Sequence, residues 1–458
     1  MGKSIFIFHR DLRLYDNTAF IECCKESSEI LCLFIFPPEQ IDSKKNKYFS
    51  NAAVQFMIES LLDLNKELSG KLSFFKGDNI EVLARVYKQF PYDAIYSNKD
   101  FSSYAIKRDA VIKKWCHQKS IEYKEYEDYD LIENSGKIYT VLAPYYKRFA
   151  SGEFKVEKPR GFYGTWLGKV VKLDGLLEKD LSGFYKENDG IKVRGGRENG
   201  LKILHHIKNK EFAHYSEERD YPAKNATTRM SAYLKFGCIS IREAYWTLHE
   251  VGGNALIREL VFRSFYYRIY SNNLRLLNGQ AYHDAVDKKI PWSWNKKYYK
   301  AWIEGKTGFP MCDAGMRQLV GENWVHNRVR MIVANVATKY LLLDWRLCLK
   351  YFYKNLVDAD IFSNTAGWQW GAGIGVDSAP YFRAPFNPFL QSYKFDREAE
   401  YIKRWIPELA EVAPSDIHKW EDEKVRAKYP NCSYPAPIVD RTEASKKAIM
   451  LFKNANRI

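Results

Sequence analysis

From Lys3 to about Tyr126 short runs of β type (SIFIF, EILCLFIF, KLSFFKG, DAIYSN, IEYKEY) alternate with helical periods near residues 17–27, 51–69, 79–90 and 102–119. This alternation predicts an α/β domain of doubly wound type built on a parallel sheet. Asn17 and Ser102 stand where helix N-caps belong. Residues 131–199 carry Pro, Gly and Lys with little period, as in EFKVEKPRGFYGTWLGKV, and predict a surface connection between domains. From Gly200 onward helical periods dominate, for example in ALIRELVFRSFYYRIY and MRQLVGENWVHNRVRMIVANVATKYLLLDW. The expected organisation is an α/β domain over residues 1–130, a linker over 131–199 and an all-α domain over 200–458.

Composition narrows the partners. The 458 residues are 46% hydrophobic and 28% charged, ordinary for a globular protein, but 16% aromatic, with 12 Trp and 32 Tyr. Abundant aromatics suit stacking or electron transfer, and a large core accounts for most of them. A net charge of +15 favours a polyanion, because neutralised phosphates release counterions; nucleic acid comes first and an anionic membrane second. A merely soluble basic protein remains open on charge alone. The eight cysteines form no C-x-x-C pair and show no metal-ligand spacing with histidine, so no metal is expected, and reduced intracellular thiols fit best. No run of about 18 apolar residues and no signal-peptide pattern occurs, and Phe6 stands where a myristoylation signal wants Ser or Thr. A cytoplasmic or nuclear monomer that does not enter a membrane is expected.

Several stretches carry candidate chemistry. HRDLRLYDN follows the first strand, where open α/β sheets bind ligands, but no G-x-G-x-x-G accompanies it. In ATTRMSAYLKFG, residues Thr227, Thr228, Arg229 and Ser231 lie where a polar loop enters a helix, which suits a pyrophosphate; simple helix caps read equally well. In NWVHNRVRM the positions of Asn327, Arg330 and Met331 place an amide, a guanidinium and a thioether on one side of a helix, with Arg328 three residues before Met331. That group suits a phosphate and a flat base, or a solvated surface helix. In DADIFSNTAGWQWGAG, Trp368 and Trp370 project in nearly opposite directions, so one could face a chromophore and the other a substrate; two core tryptophans read as well.

FHRDLRLYDN, ATTRMSAYLKFG, KTGFPMCDAGMRQL, VHNRVRM and above all NTAGWQWGAG with DSAPYFR and FNP resemble the motifs of the photolyase/cryptochrome family, over residues 3 to about 410. Among its members the chain is most like class I cyclobutane pyrimidine dimer photolyases. The resemblance implies an antenna domain followed by a helical domain holding FAD. On matched positions, Tyr215, Thr227, Thr228, Arg229, Met230 and Ser231 would contact the FAD diphosphate and ribityl chain. Asp358, Ala359 and Asp360 would address the flavin and its neighbouring Arg330, and Asn364 would stand beside flavin N5, where Asn resembles DNA-repair members. Trp368, Trp345 and Trp292 match the family's electron relay from surface to flavin.

For substrate the resemblance implies UV-damaged DNA, its dimer flipped into a pocket beside the flavin. Glu259 would hydrogen-bond the dimer; Asn327, Arg328, Met331 and Trp370 would line the pocket or meet phosphate; Arg219, Arg383 and Gln391 would touch the backbone or rim. Members acting on (6-4) photoproducts place histidine at the Asn327 position. Phe262 departs from the pattern, standing where a tryptophan usually packs the dimer. Tyr104-Ala105 replaces the Asn-Glu pair of folate-binding members, which points to a deazaflavin or a second flavin as antenna, or to none. The expected activity is light-driven splitting of cyclobutane pyrimidine dimers by reduced FAD. The alternatives are a blue-light receptor of cryptochrome type, against which the absence of a long tail counts, and (6-4) repair.

Overall fold

The computed structural model describes residues 2–132, 136–161, 166–377 and 385–456. Six strands, β1 (Gly2–Ile7), β2 (Ser27–Phe36), β3 (Ser73–Lys76), β4 (Ala94–Asn98), β5 (Glu122–Tyr126) and β6 (Val170–Val171), form one parallel sheet of order β3-β2-β1-β4-β5, with β6 beside β2. The crossovers run through helices Thr18–Glu26, Asn51–Glu67, Asn79–Gln89 and Ser103–Gln118. Both faces of β1 and β2 are buried, as a parallel sheet covered by helices requires. The side chain of Asn17 caps its helix by accepting from Phe20 N, and Ser102 does the same for Ala105 N. The doubly wound domain read from the apolar runs is therefore present.

The stretch read as a surface connection contains the helix Leu142–Ala150 and the two-residue strand β6, whose Val170 pairs with Ile30. Two residues are too few for a periodic signal; the stretch of β2 that β3 leaves unpaired, at Ile30 and Leu31, supplies the pairing partner.

Beyond residue 197 the chain is helical. The helices Asn254–Ser271, Asn327–Asn335, Trp345–Asn355 and Ile361–Gly371 pack around the centre of this half, the last touching each of the other three. No helix among the described residues is long and apolar enough to cross a membrane.

A buried ionic cluster joins the two halves. Arg242 donates to Asp16 at 2.9 Å and to Asp128 at 2.7 Å, and Arg13 pairs with Asp128 from the other side. All four groups are almost excluded from solvent, so each charge depends on the others. Burial pushes Asp128 up, but Arg13 and Arg242 overcome it and hold the carboxyl below its ordinary value. Beside the cluster, Gly237 ends the helix Ser231–Phe236 at φ 65°, and a Cβ there would stand 2.3 Å from the Arg10 carbonyl oxygen. Only glycine allows the halves to approach this closely.

Candidate active site

The helix Ile361–Gly371 organises the centre of the helical half. Asp360 is its N-cap, accepting from Phe362 N at 3.1 Å and Ser363 N at 3.0 Å. The same carboxylate accepts from Arg10 at 3.0 Å and from the Tyr129 hydroxyl at 2.6 Å. Burial raises the Asp360 pKa, yet Arg10 and Arg263 outweigh it and the carboxyl stays below its usual range. Arg10 also reaches Asp100 at 3.6 Å, so the loops after β1 and β4 are tied to the cap of this helix. Asp360 thus spends its oxygens on the domain seam. Asp358 turns the other way, accepting from Arg330 at 2.9 and 3.0 Å and from the Ser231 hydroxyl at 2.6 Å. Ala359 lies buried between these two acids.

Around this pair lie polar groups without protein partners. The Asn364 Nδ2 and the Arg229 Nε are shut off from solvent and bonded to nothing among the described residues. Arg229 holds a left-handed φ of 51°, which strains a non-glycine residue, and its guanidinium lies over Trp324 at 4.8 Å. One turn on from Asn364, Gly367 is exposed in the middle of the helix, with nothing within 4 Å of where its Cβ would stand. Ser231 is exposed too, while Met230 beside it is buried. Thr228 Oγ1 accepts from Met230 N at 3.4 Å, fixing the loop that carries Thr227, and Tyr215 opens a short helix whose Arg219 lies over its ring at 5.8 Å. Orphaned donors, an open glycine face and an acid-arginine pair fit a ligand with both a phosphate part and a flat hydrogen-bonding ring, as FAD has.

The residues expected at the pocket and its rim lie as follows. Glu259 accepts from Arg219 at 2.6 Å; burial raises its pKa and Arg219 opposes the rise. Phe262 lies one turn further along the same helix, half-buried, its ring 5.6 Å from Tyr266. Arg328 donates to Asp220 at 2.7 Å, touches Met331 Sδ at 3.7 Å and lies over Phe395 at 4.5 Å. Asn327, first residue of its helix, is exposed; Gln391, on the helix Pro388–Phe395, and Trp370 are half-buried. Arg383 lies outside the described residues. His326 caps the Asn327 helix through Arg328 N, and burial lowers its pKa to about 4, so the ring is neutral at physiological pH.

The three tryptophans expected to form an electron relay come from three segments. Trp368 is buried against Phe352 at 4.9 Å and Trp302 at 6.0 Å. Trp345, fully buried, and Trp292, half-buried, donate their indole N–H groups to the same oxygen of Asp287, at 3.1 and 2.8 Å. Asp287, Arg10, Gly367 and Trp324 were not picked out in the sequence. Arg10 lies in the charged loop after the first strand, and Gly367 and Trp324 lie inside stretches that carry candidate chemistry; Asp287 leaves no signal and acquires meaning only from partners far along the chain.

Fold and site together define a two-domain protein with an FAD-binding helical half. The chain belongs to the DNA photolyase family: residues 4–160 match the family model for DNA photolyase, and residues 256–454 match that for the FAD binding domain of DNA photolyase. It is 34% identical to the deoxyribodipyrimidine photo-lyase of Alkalihalophilus pseudofirmus, covering 97% of each chain. It superposes on the crystal structure of an archaeal photolyase from Sulfolobus tokodaii with two FAD molecules with a TM-score of 0.86 and 38% identity, covering 99% of this chain and 100% of that one. The cryptochrome of Synechocystis superposes with a TM-score of 0.88 at 22% identity, covering 98% and 99%; that likeness concerns the fold alone.

Proposed function

We propose that the protein is a deoxyribodipyrimidine photo-lyase that splits cyclobutane pyrimidine dimers in UV-damaged DNA under blue light. The observation that carries this reading is Glu259, held by Arg219 and placed on the helix Asn254–Ser271 that packs against the Asn364 helix, in a chain 34% identical to a deoxyribodipyrimidine photo-lyase over 97% of its length. Reduced FAD, when bound, supplies the light-excited electron. Around it the chain's own residues divide the work. Arg229, Ser231 and the Thr227–Thr228 loop hold the phosphate part, with Tyr215 and Met230 beside it. Arg330, kept in place by Asp358, and the Asn364 amide orient the ring. Glu259 and Asn327 present hydrogen-bonding groups to a flipped-out dimer and favour the charge that develops on it. Arg219 and Arg328 are held extended by Glu259 and Asp220, ready to exchange a carboxylate for a phosphate. Phe262, Met331, Trp370 and Gln391 complete the pocket walls and rim, to which Arg383 is also assigned. Trp368, Trp345 and Trp292 serve to recharge the cofactor rather than to split the dimer.

A second chromophore, a flavin or deazaflavin, is part of the same proposal. The strand order reverses between β1 and β4, where doubly wound sheets bind ligands. The crevice there is lined by His9, Arg10, Asp11, Asn98, Lys99 and Asp100; its enclosed space of about 30 Å³ is water-sized, so a chromophore would lie across its mouth. The two FAD molecules of the Sulfolobus tokodaii protein support a flavin.

The test is recovery of base absorbance when reduced holoprotein and an oligonucleotide carrying a cyclobutane dimer are illuminated with blue light. Recovery supports repair. An absence of recovery with FAD bound and reduced refutes it and leaves the receptor and (6-4) repair readings.

A further inference from the structure

Asp287 is the last residue of the short helix Asp284–Asp287 and is buried. One of its oxygens accepts the indole N–H groups of Trp292 at 2.8 Å and Trp345 at 3.1 Å. The other is held by the Arg346 guanidinium. Arg346 is itself fixed by the Gly279 carbonyl at 2.7 Å and by Asp344 at 3.2 Å, and it lies over the Trp345 ring at 4.6 Å. Trp302 stands in a different setting. It too touches Trp368, at 6.0 Å, and it is fully buried, but its N–H has no partner among the described residues.

These surroundings rank the indoles by how readily each holds a positive charge. Removing an electron from indole leaves a cation and strengthens the N–H as a donor. A carboxylate on that N–H stabilises the cation by direct attraction, strongly so away from water. A guanidinium over the ring face opposes it. Trp302 has neither the carboxylate nor solvent, so it is the poorest site. Trp345 has the carboxylate but lies under Arg346. Trp292 has the shorter bond to the carboxylate and reaches solvent, so it is the best.

We propose that Asp287 is a positioning residue of the indole relay: its carboxylate draws the positive charge away from Trp368 and Trp302 and settles it on Trp292. This rests on the assignment of Trp368, Trp345 and Trp292 as the relay. One electron moves inward from Trp292 through Trp345 and Trp368 to light-excited oxidised flavin. The flavin gains that electron, Trp292 loses it, and no bond is made or broken. A thiol in solution then refills Trp292.

Asp287→Asn keeps an oxygen for both N–H groups and removes the charge. In flash absorption of the oxidised holoprotein, the lifetime of the indole radical is expected to fall by about tenfold, as loss of a full charge beside the half-buried Trp292 cation implies. Asp287→Glu is expected to restore it to within about threefold of the native value, which a packing effect alone would not do. Asp284→Asn, a half-buried acid of the same helix that pairs with Lys288 rather than with an indole, is the control and is expected to leave the lifetime unchanged. A native lifetime in a folded, FAD-loaded Asp287→Asn protein overturns the proposal. If that variant does not fold, Arg346→Gln decides: the charge on Asp287 stays and the lifetime holds or lengthens, whereas a tenfold fall overturns the proposal. Trp292→Phe and Trp345→Phe separate the two levels. If neither alters the radical signal, the relay assignment itself fails; if both do while Asp287→Asn does not, only the role of Asp287 fails.

Discussion

Gly367 offers a quantitative test of where the cofactor lies. It sits in the middle of the Ile361–Gly371 helix, and nothing comes within 4 Å of a Cβ built on it. Replacing a mid-helix glycine by alanine stabilises a fold by about 0.5–1 kcal/mol when no clash results. With an unfolding entropy of about 2.1 cal/mol/K per residue and 458 residues, this raises the melting temperature of the FAD-free protein by about 1 °C. Because Gly367 is exposed, a leucine there is expected to find room, and FAD-free Gly367→Leu is expected to melt no lower than the native chain. Its isobutyl group, however, projects into the open face beside the orphaned Asn364 amide. FAD at about a hundred times its dissociation constant stabilises the native protein by about 2.7 kcal/mol, or about 3 °C by the same conversion. Gly367→Leu should gain none of this. Differential scanning calorimetry of both proteins with and without FAD reads all four values, and flavin absorbance of the purified proteins reports occupancy independently. A Gly367→Leu protein that copurifies with FAD and gains the native increment refutes the placement of the cofactor on this face.

Other consequences are checked more briefly. Glu259→Gln should lower the yield of dimer splitting per photon absorbed several-fold while changing DNA affinity little; Arg328→Ala should weaken binding and reduce the salt slope of log K by about 0.9, the value for one phosphate contact. Equal effects of both changes on both quantities would contradict these roles. Trp368→Phe should slow photoreduction of oxidised FAD by more than about tenfold, because it removes the indole nearest Asn364 in sequence from the relay, and an unchanged rate would refute the assignment. Asp128 has a depressed pKa in the folded state, so its contribution to stability is complete above its unfolded value near 4 and is lost as pH falls through the folded value. Denaturant titrations should therefore show stability falling below about pH 4, and Asp128→Asn should cost about 3–5 kcal/mol at neutral pH by leaving Arg13 and Arg242 short of a partner.

The elements that could be read from the sequence are those whose cause is local. The parallel strands follow from apolar runs such as EILCLFIF, and two helix starts follow from Asn17 and Ser102, whose side chains cap within three residues. The opposed projection of Trp368 and Trp370 follows from helical geometry alone, and one is buried while the other is half-exposed. What could not be read is set by tertiary packing. Arg10 meets Asp360 across 350 positions, and Asp287 meets Trp345 across 58, so no window along the chain contains either pair. The two neighbouring acids Asp358 and Asp360 look alike in sequence, yet one serves Arg330 and Ser231 while the other serves the domain seam. Asp360 caps the helix that begins at Ile361, whereas Asp358 lies two residues before that cap and its carboxylate turns the other way. Gly367 stood inside a motif, but its purpose shows only in the open face that it leaves.

The most direct measurement is product analysis of single defined lesions, a cyclobutane thymine dimer and a (6-4) photoproduct, incubated with the reduced holoprotein and with the FAD-free protein, in the dark and under blue light. Conversion to intact thymines is expected for the cyclobutane dimer alone, and only with light and FAD together. Persistence of that dimer in illuminated, FAD-loaded, reduced protein, or conversion of the (6-4) lesion instead, would contradict the account.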